Sequence, residues 1–359
     1  MILINEGIML MLTVFLGLGA LDYCLGNKMG LGKAFQDGIG SMGSVALAMI
    51  GIITLAPIAA QFLIPVVSPL YILIGADPAS FANTILALDM GGYALAEAMA
   101  IDPEAGLFSW VFLGTMLGPT IVFTLPIALS IIKKEDYAFF SKGILIGLGT
   151  IPLGCFVGAV FAGFEISMIL LNLLIPILFS LIIMLGLWKK PDVCITLFIY
   201  FGKSIQFVGV IGLFIAGLEL LTGYRVFQEM APYSEGLMIV GTIAVVLAGA
   251  FPLVAFISTI FRKPLEKAGA LIGLDGNSVT GLVASLAHVI PAFTLLHNMS
   301  AKGKVVVVAF SVSGAFVLGG HLGFVAGINR DMVIYMMIGK LVGGISAAVI
   351  ALWFEREAV

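Results

Sequence analysis

The sequence predicts an all-α polytopic membrane protein of about nine to ten spanning helices, with two inverted repeats that each contain a broken or re-entrant segment. Three observations lead there. Hydrophobic residues fill 61% of the 359 positions and charged residues only 10%, with a mean hydropathy of +1.19, whereas a soluble domain carries about 25% charged residues. The apolar residues gather in runs of roughly 20, the length that crosses a bilayer as a helix. Lysine and arginine gather in alternate connections between those runs, as the cytoplasmic bias of basic residues requires.

Taken in order, spanning runs occur near 3–21, 41–60, 107–132, 143–164, 166–188, 193–221, 236–261, 305–327 and 332–353. The first lacks a basic leader and a cleavage site, so it reads as a retained span. Three stretches fit less well: 61–74, broken by Pro65 and Pro69, and 77–104 and 264–303, which carry most of the unusual polar residues. Lys28, Lys33, Lys133, Lys134, Lys142, Lys189, Lys190, Arg262, Lys263, Lys267, Lys302, Lys304 and Arg356 fall on one side of this pattern, with Arg225 and Arg330 as exceptions. That distribution places the N-terminus outside and the C-terminus in the cytoplasm. The whole of 1–359 reads as one integral membrane domain.

The chain repeats itself weakly. Leu73-Ile74-Gly75-Ala76-Asp77-Pro78-Ala79-Ser80 matches Leu271-Ile272-Gly273-Leu274-Asp275-Gly276-Asn277-Ser278, and Gly118-Pro119-Thr120-Ile121-Val122-Phe123 matches Gly319-Gly320-His321-Leu322-Gly323-Phe324. Order and offset are both kept, which chance likeness between apolar segments does not explain. Repeat one covers about 41–164 and repeat two about 236–353. Five spans separate equivalent points, and an odd number inverts one repeat relative to the other. Short, Gly- or Pro-broken segments in matching positions of two repeats mark a transporter's binding site.

The richest of these segments is Leu88-Asp89-Met90-Gly91-Gly92-Tyr93-Ala94-Leu95-Ala96-Glu97. Ionisable groups at membrane depth are costly and face a cavity or a partner. Asp89 and Glu97 are candidate ligands for a buried ammonium. They sit on one helical face or, with the Gly91-Gly92 break, on two limbs of a hairpin. Tyr93 offers a ring face and a hydroxyl. The plainer readings are helix capping for Asp89, a solvated acid for Glu97 and an interfacial ring for Tyr93. Asn83, Thr120 and Asn277 are candidate hydrogen-bonding residues for a solute, against helix-start chemistry or a kink. Pro119 frees a carbonyl that Thr120 or a solute can take. His288 and His321 read either as proton-sensing groups or as neutral rings bonded to the backbone; His297 reads as a loop residue. Lys203 either pairs with Glu219 or snorkels. Gly147, Gly149, Gly154 and Gly158 read as close helix packing.

Several classes are disfavoured. The net charge of −3 gives no footing for nucleic acid. Cys24, Cys155 and Cys194 are scattered, without metal-ligand spacing or a disulfide framework. No two histidines have the spacing of a helical zinc pair, and neither a phosphate loop nor a nucleophile elbow is present. No metal, no cofactor and no catalytic residue are expected. The expected partners are a small cationic amine and the lipid bilayer, with a homo-oligomer left open.

Ala56-Pro57, the stretch Ser80 to Ala96, and Met116-Leu117-Gly118-Pro119-Thr120-Ile121-Val122-Phe123 resemble the ethanolamine-utilisation transporter family. So do His321-Leu322-Gly323-Phe324 and Gly339-Lys340-Leu341-Val342-Gly343-Gly344. The likeness runs from the first span to the last. It implies an inner-membrane permease that imports ethanolamine, with choline or an amino acid as the alternative solute in the same frame. The chain departs from the family pattern at Gly320, where an acid is expected, and at His288-Val289, where two asparagines are expected.

Overall fold

A computed structural model describes residues 2–355. Among them are helices and turns with no strand. Eight helices are long and apolar enough to cross a membrane. They correspond to eight of the nine expected runs. The ninth, expected as one span over 305–327, is split into Ala301–Gly314 and Gly320–Ile328, with a non-helical turn at 315–319. The proline-broken stretch 61–74 is also corrected: Met42–Leu73 forms one helix that contains Pro57, Pro65 and Pro69. Neighbouring helices can satisfy the backbone groups that proline frees, so a membrane helix tolerates them.

The central span is Pro103–Ile131, and 83% of its most apolar 18-residue stretch is buried inside the protein. It is not a regular helix. π-Helical turns at Ser109–Leu113 and Thr120–Thr124 flank the α-helical piece Gly114–Pro119. Such turns concentrate at functional sites. Around it, small residues allow close approach. A methyl group on Gly51 would fall 1.9 Å from Gly209 O, and one on Gly154 would fall 2.6 Å from Gly339 O. Gly143 and Gly147 do the same work against Val308 and Val312. Gly149 does not: nothing lies within 4 Å of its would-be methyl, so its expected packing role is not found.

Two helical hairpins hold the unusual sequence. The first runs Ala79–Ile85, turns at Leu88–Met90, and returns along Gly92–Met99. The second runs Gly276–Ala287 and returns along Val289–Leu295. Each is clasped at its base by an aspartate. Asp77 accepts hydrogen bonds from Ala79 N at 2.8 Å, Ile101 N at 3.0 Å and Asp102 N at 2.8 Å. Asp275 accepts from Ser278 N at 3.1 Å, Ser278 Oγ at 2.6 Å and Ser300 N at 2.8 Å. In both, the bond that closes the loop joins residues 25 apart. The start and end of each hairpin therefore lie together, which is the layout of a re-entrant segment.

The hairpin tips are seated by the same device. A methyl group on Gly118 would fall 1.9 Å from Leu86 O, and one on Gly319 would fall 1.9 Å from Ala287 O. At each place a broken span comes against the tip backbone, and only glycine leaves room. The sequence match between Gly118 and Gly319 thus has a common physical cause.

Candidate functional site

Both tips open onto one cavity of about 820 Å³. Asp89 and Met90 reach it from the first hairpin and His288 and Ile290 from the second. Phe316, Gly320 and His321 come from the broken span, and Pro119, Val122 and Phe123 from the central span. The cavity reaches the surface past Ser44, Ser130 and Lys203, which are exposed. Ser130 lies at the end of the central span, just before the connection that carries Lys133 and Lys134, and Ser44 lies in the first turn of Met42–Leu73.

Asp89 sits in the tight turn before Gly91, whose φ of 90° favours glycine. A methyl there would also fall 2.0 Å from Ile52 Cγ2. Gly92 N closes the turn on Ala87 O at 2.9 Å. The two glycines therefore shape the tip that presents the carboxylate. No side-chain hydrogen bond or ion pair to Asp89 is formed among the described residues, and it caps no helix. A half-buried carboxylate without a protein partner at this depth is available to a solute.

The opposite wall is aromatic. His288 Nδ1 accepts from Ile290 N at 3.2 Å, so its ring caps the return limb of the second hairpin. That ring lies 4.9 Å from Phe316 and 5.8 Å from Phe123. Phe316 also lies 4.8 Å from His321, whose buried Nδ1 has no hydrogen-bond partner. Phe316 has a φ of 63°, a strained value for a bulky residue, costing on the order of 1–3 kcal/mol. Its N donates to Ser285 O at 2.9 Å, and Leu318 N donates to Leu286 O at 2.8 Å. Those bonds hold the strained turn against the second hairpin and set the Phe316 ring between the two histidines.

Other expected site residues lie elsewhere. Glu97 is exposed and accepts from Trp110 Nε1 at 3.0 Å. Tyr93 packs on Trp110 and Phe324 at 5.3 and 5.4 Å. Asn83 is fully buried inside the first hairpin, donating to Leu86 O and accepting from Ser109 Oγ at 2.9 Å. Thr120 is buried and donates to Met116 O at 2.8 Å. Asn277 is exposed and ties the second hairpin's base to Asn298 O at 2.9 Å. None of these five borders the cavity. Glu219 pairs with Arg225 at 3.1 Å rather than with Lys203. His297 lies by Asp136 at 3.1 Å, at the edge of the fold.

One residue enters the sequence analysis only as part of the motif Gly339 to Gly344, and not as a site candidate. Lys340 is 1% exposed, and its Nζ donates to Thr115 O at 2.6 Å. In an α-helix Thr115 O would accept from the residue four positions on, but that residue is Pro119, which has no N–H. The freed carbonyl is therefore taken by a lysine, not by Thr120. The signal was available: Lys340 is the sole charged residue in the run 332–353.

Comparison with known proteins follows the same lines. A family model described as ethanolamine utilisation protein EutH matches residues 4–354. The chain is 56% identical to the uncharacterized protein YxeR of Bacillus subtilis, over 98% of this chain and 95% of that one. It is 52% identical to the probable ethanolamine permease EutH of Listeria monocytogenes, over 99% of this chain and 95% of that one. Identity to the probable ethanolamine permease EutH of Salmonella typhimurium is 37%, over 97% and 95%. No solved structure matches.

Proposed function

This chain belongs to the EutH family of ethanolamine utilisation proteins, and we propose that it is a permease that imports a small cationic amino alcohol, ethanolamine above all. The single observation that carries the reading is Asp89, an unpartnered carboxylate at the tip of a hairpin, bordering a cavity walled by aromatic rings. A primary amine with a pKa near 10 is protonated at neutral pH and crosses lipid poorly as the ion. Asp89 replaces its water on one side, and the faces of Phe123 and Phe316 attract its charge on the other. The relatives' names point the same way.

The two hairpins serve as matching gates of two inverted repeats, with the solute between their tips. In this reading the membrane is the inner one, the N-terminus is outside, and the cavity mouth at Ser44 and Lys203 faces the cytoplasm. The ring cluster also favours a second solute, a methylated ammonium such as choline, which needs ring faces more than acceptors.

The test is uptake of labelled ethanolamine into proteoliposomes. Wild type is expected to give saturable uptake that unlabelled ethanolamine suppresses, with choline as a weaker competitor. Uptake no greater than in protein-free liposomes contradicts the reading.

A further inference from the structure

Most polar side chains that line the cavity are already satisfied. Ser41, Ser44 and Ser130 donate to backbone carbonyls, and Lys203 and Gln206 are exposed to solvent. His288 Nδ1 accepts from Ile290 N, so the lone pair of that ring is used and its other nitrogen carries the proton. Two acceptors remain. One is Asp89, which takes the ammonium in the reading above. The other is His321, 3% exposed and on the cavity wall. Its Nδ1 is buried without a partner, and its other ring nitrogen forms no hydrogen bond among the described residues. Buried polar groups are rarely left so, because an unmade hydrogen bond is costly.

His321 is placed beside Asp89 through its neighbour Gly320. A methyl group on Gly320 would lie 4.0 Å from Asp89 Oδ2, so the carboxylate approaches the broken span within one residue of the ring. On its other side the ring is backed by Phe316, at 4.8 Å, in the turn that is bonded to the second hairpin. The absent side chain at position 320 leaves the space between carboxylate and ring to a small solute. A neutral imidazole has one N–H and one lone pair, and here the protein claims neither. An ammonium goes to the carboxylate, the stronger charge-assisted partner. The ring is then left for a polar group a short reach away on the same solute, and a hydroxyl two carbons from the nitrogen is such a group.

We propose that His321 is the hydroxyl-selecting residue of this site: its ring accepts a hydrogen bond from the alcohol of a solute whose ammonium rests on Asp89. This rests on the amine-permease reading above and narrows its substrate class from small amines to amines that carry a hydroxyl on the second carbon. A plain alkylamine satisfies Asp89 equally well but leaves the ring buried and unpaired, and that cost falls on the wrong solute alone.

The experiment measures equilibrium binding to the purified full chain with labelled ethanolamine and labelled n-propylamine, in which a methyl replaces the hydroxyl. Wild type should bind ethanolamine at least about tenfold more tightly. His321→Phe keeps a ring against Phe316 and removes both nitrogens; gel filtration checks it, and His321→Leu replaces it if it does not elute as wild type does. In the variant the preference should fall to within about twofold, with ethanolamine weakened and n-propylamine unchanged. A further pair needs only wild type and tests the direction of the bond. The oxygen of 2-methoxyethylamine accepts but cannot donate, so this ether should bind no more tightly than n-butylamine. Equal binding of ethanolamine and n-propylamine by wild type overturns the inference. So does a variant that keeps the preference, or one that weakens both amines alike, the mark of a merely structural ring. An ether bound about tenfold more tightly than n-butylamine overturns it too. Absence of wild-type binding of both amines overturns the amine-permease reading, and the selectivity falls with it.

Discussion

The two hairpins are built alike at the base and unlike at the tip. At the base each has an aspartate closing the loop on a backbone N–H 25 residues on. At the tip, the first hairpin presents the Asp89 carboxylate on a glycine turn, and the second presents the His288 ring, engaged with Ile290 N and Phe316. The shared part is therefore scaffold and the divergent part is the ligand-facing chemistry. One tip supplies charge and the other supplies surface, which suits a solute with an ammonium at one end.

Breaking that contrast should have graded effects. Asp89→Asn should weaken ethanolamine transport most, by at least about 30-fold, because loss of one member of a buried charge pair costs roughly 2–5 kcal/mol. His288→Asn, which keeps a capping side chain at the second tip, should cost far less; equal losses would mean that the tips are equivalent. Phe316→Ala should raise the apparent KM about tenfold, the range of a desolvated cation–π contact, and should affect choline competition at least as much.

A smaller effect concerns the base. Burial acts to raise the Asp275 carboxyl, but the hydrogen bonds from Ser278 and Ser300 outweigh it and hold the group well below the usual carboxylate range. A depressed folded value means that the stabilisation is complete above the unfolded value of about 4 and is lost as pH falls through the folded one. Asp275→Asn should lower thermal stability by about 2 kcal/mol at neutral pH and flatten the loss of stability in acid. An unchanged melting curve at both pH values would remove the clasp from the account. Glu97→Gln should be the mildest change, within about twofold of wild-type transport, since an exposed acid outside the cavity contributes little.

Much of the fold was legible because membrane burial writes itself in long apolar runs, and eight of nine became single helices. The ninth was misread for a physical reason. The strained turn at Phe316 is held by backbone bonds to Ser285 and Leu286, which hydropathy does not register. Asp89 and His288 were legible as polar groups in broken segments and His321 as a polar group inside an apolar run, and all three border the cavity. Glu97 and Tyr93 share a segment with Asp89, but the short helix after Gly91 turns them toward Trp110. Asn83, Thr120 and Asn277 proved to bond the backbone or hold the hairpins. Lys340 did not stand out as a site candidate because an apolar run hides one charge in its average; the carbonyl it meets, that of Thr115, lies far away in sequence. Phe123 and Phe316 carried no signal as single aromatics, since their role exists only where three elements meet.

The central claim is that the amine's charge rests on Asp89 between the two tips. Equilibrium binding of labelled ethanolamine to purified protein tests it most directly, free of any question about coupling or direction. Saturable binding in wild type and in Glu97→Gln, with at least about 30-fold weaker binding in Asp89→Asn, is the predicted result. Unaltered binding in Asp89→Asn, or its loss in Glu97→Gln alone, would contradict the account.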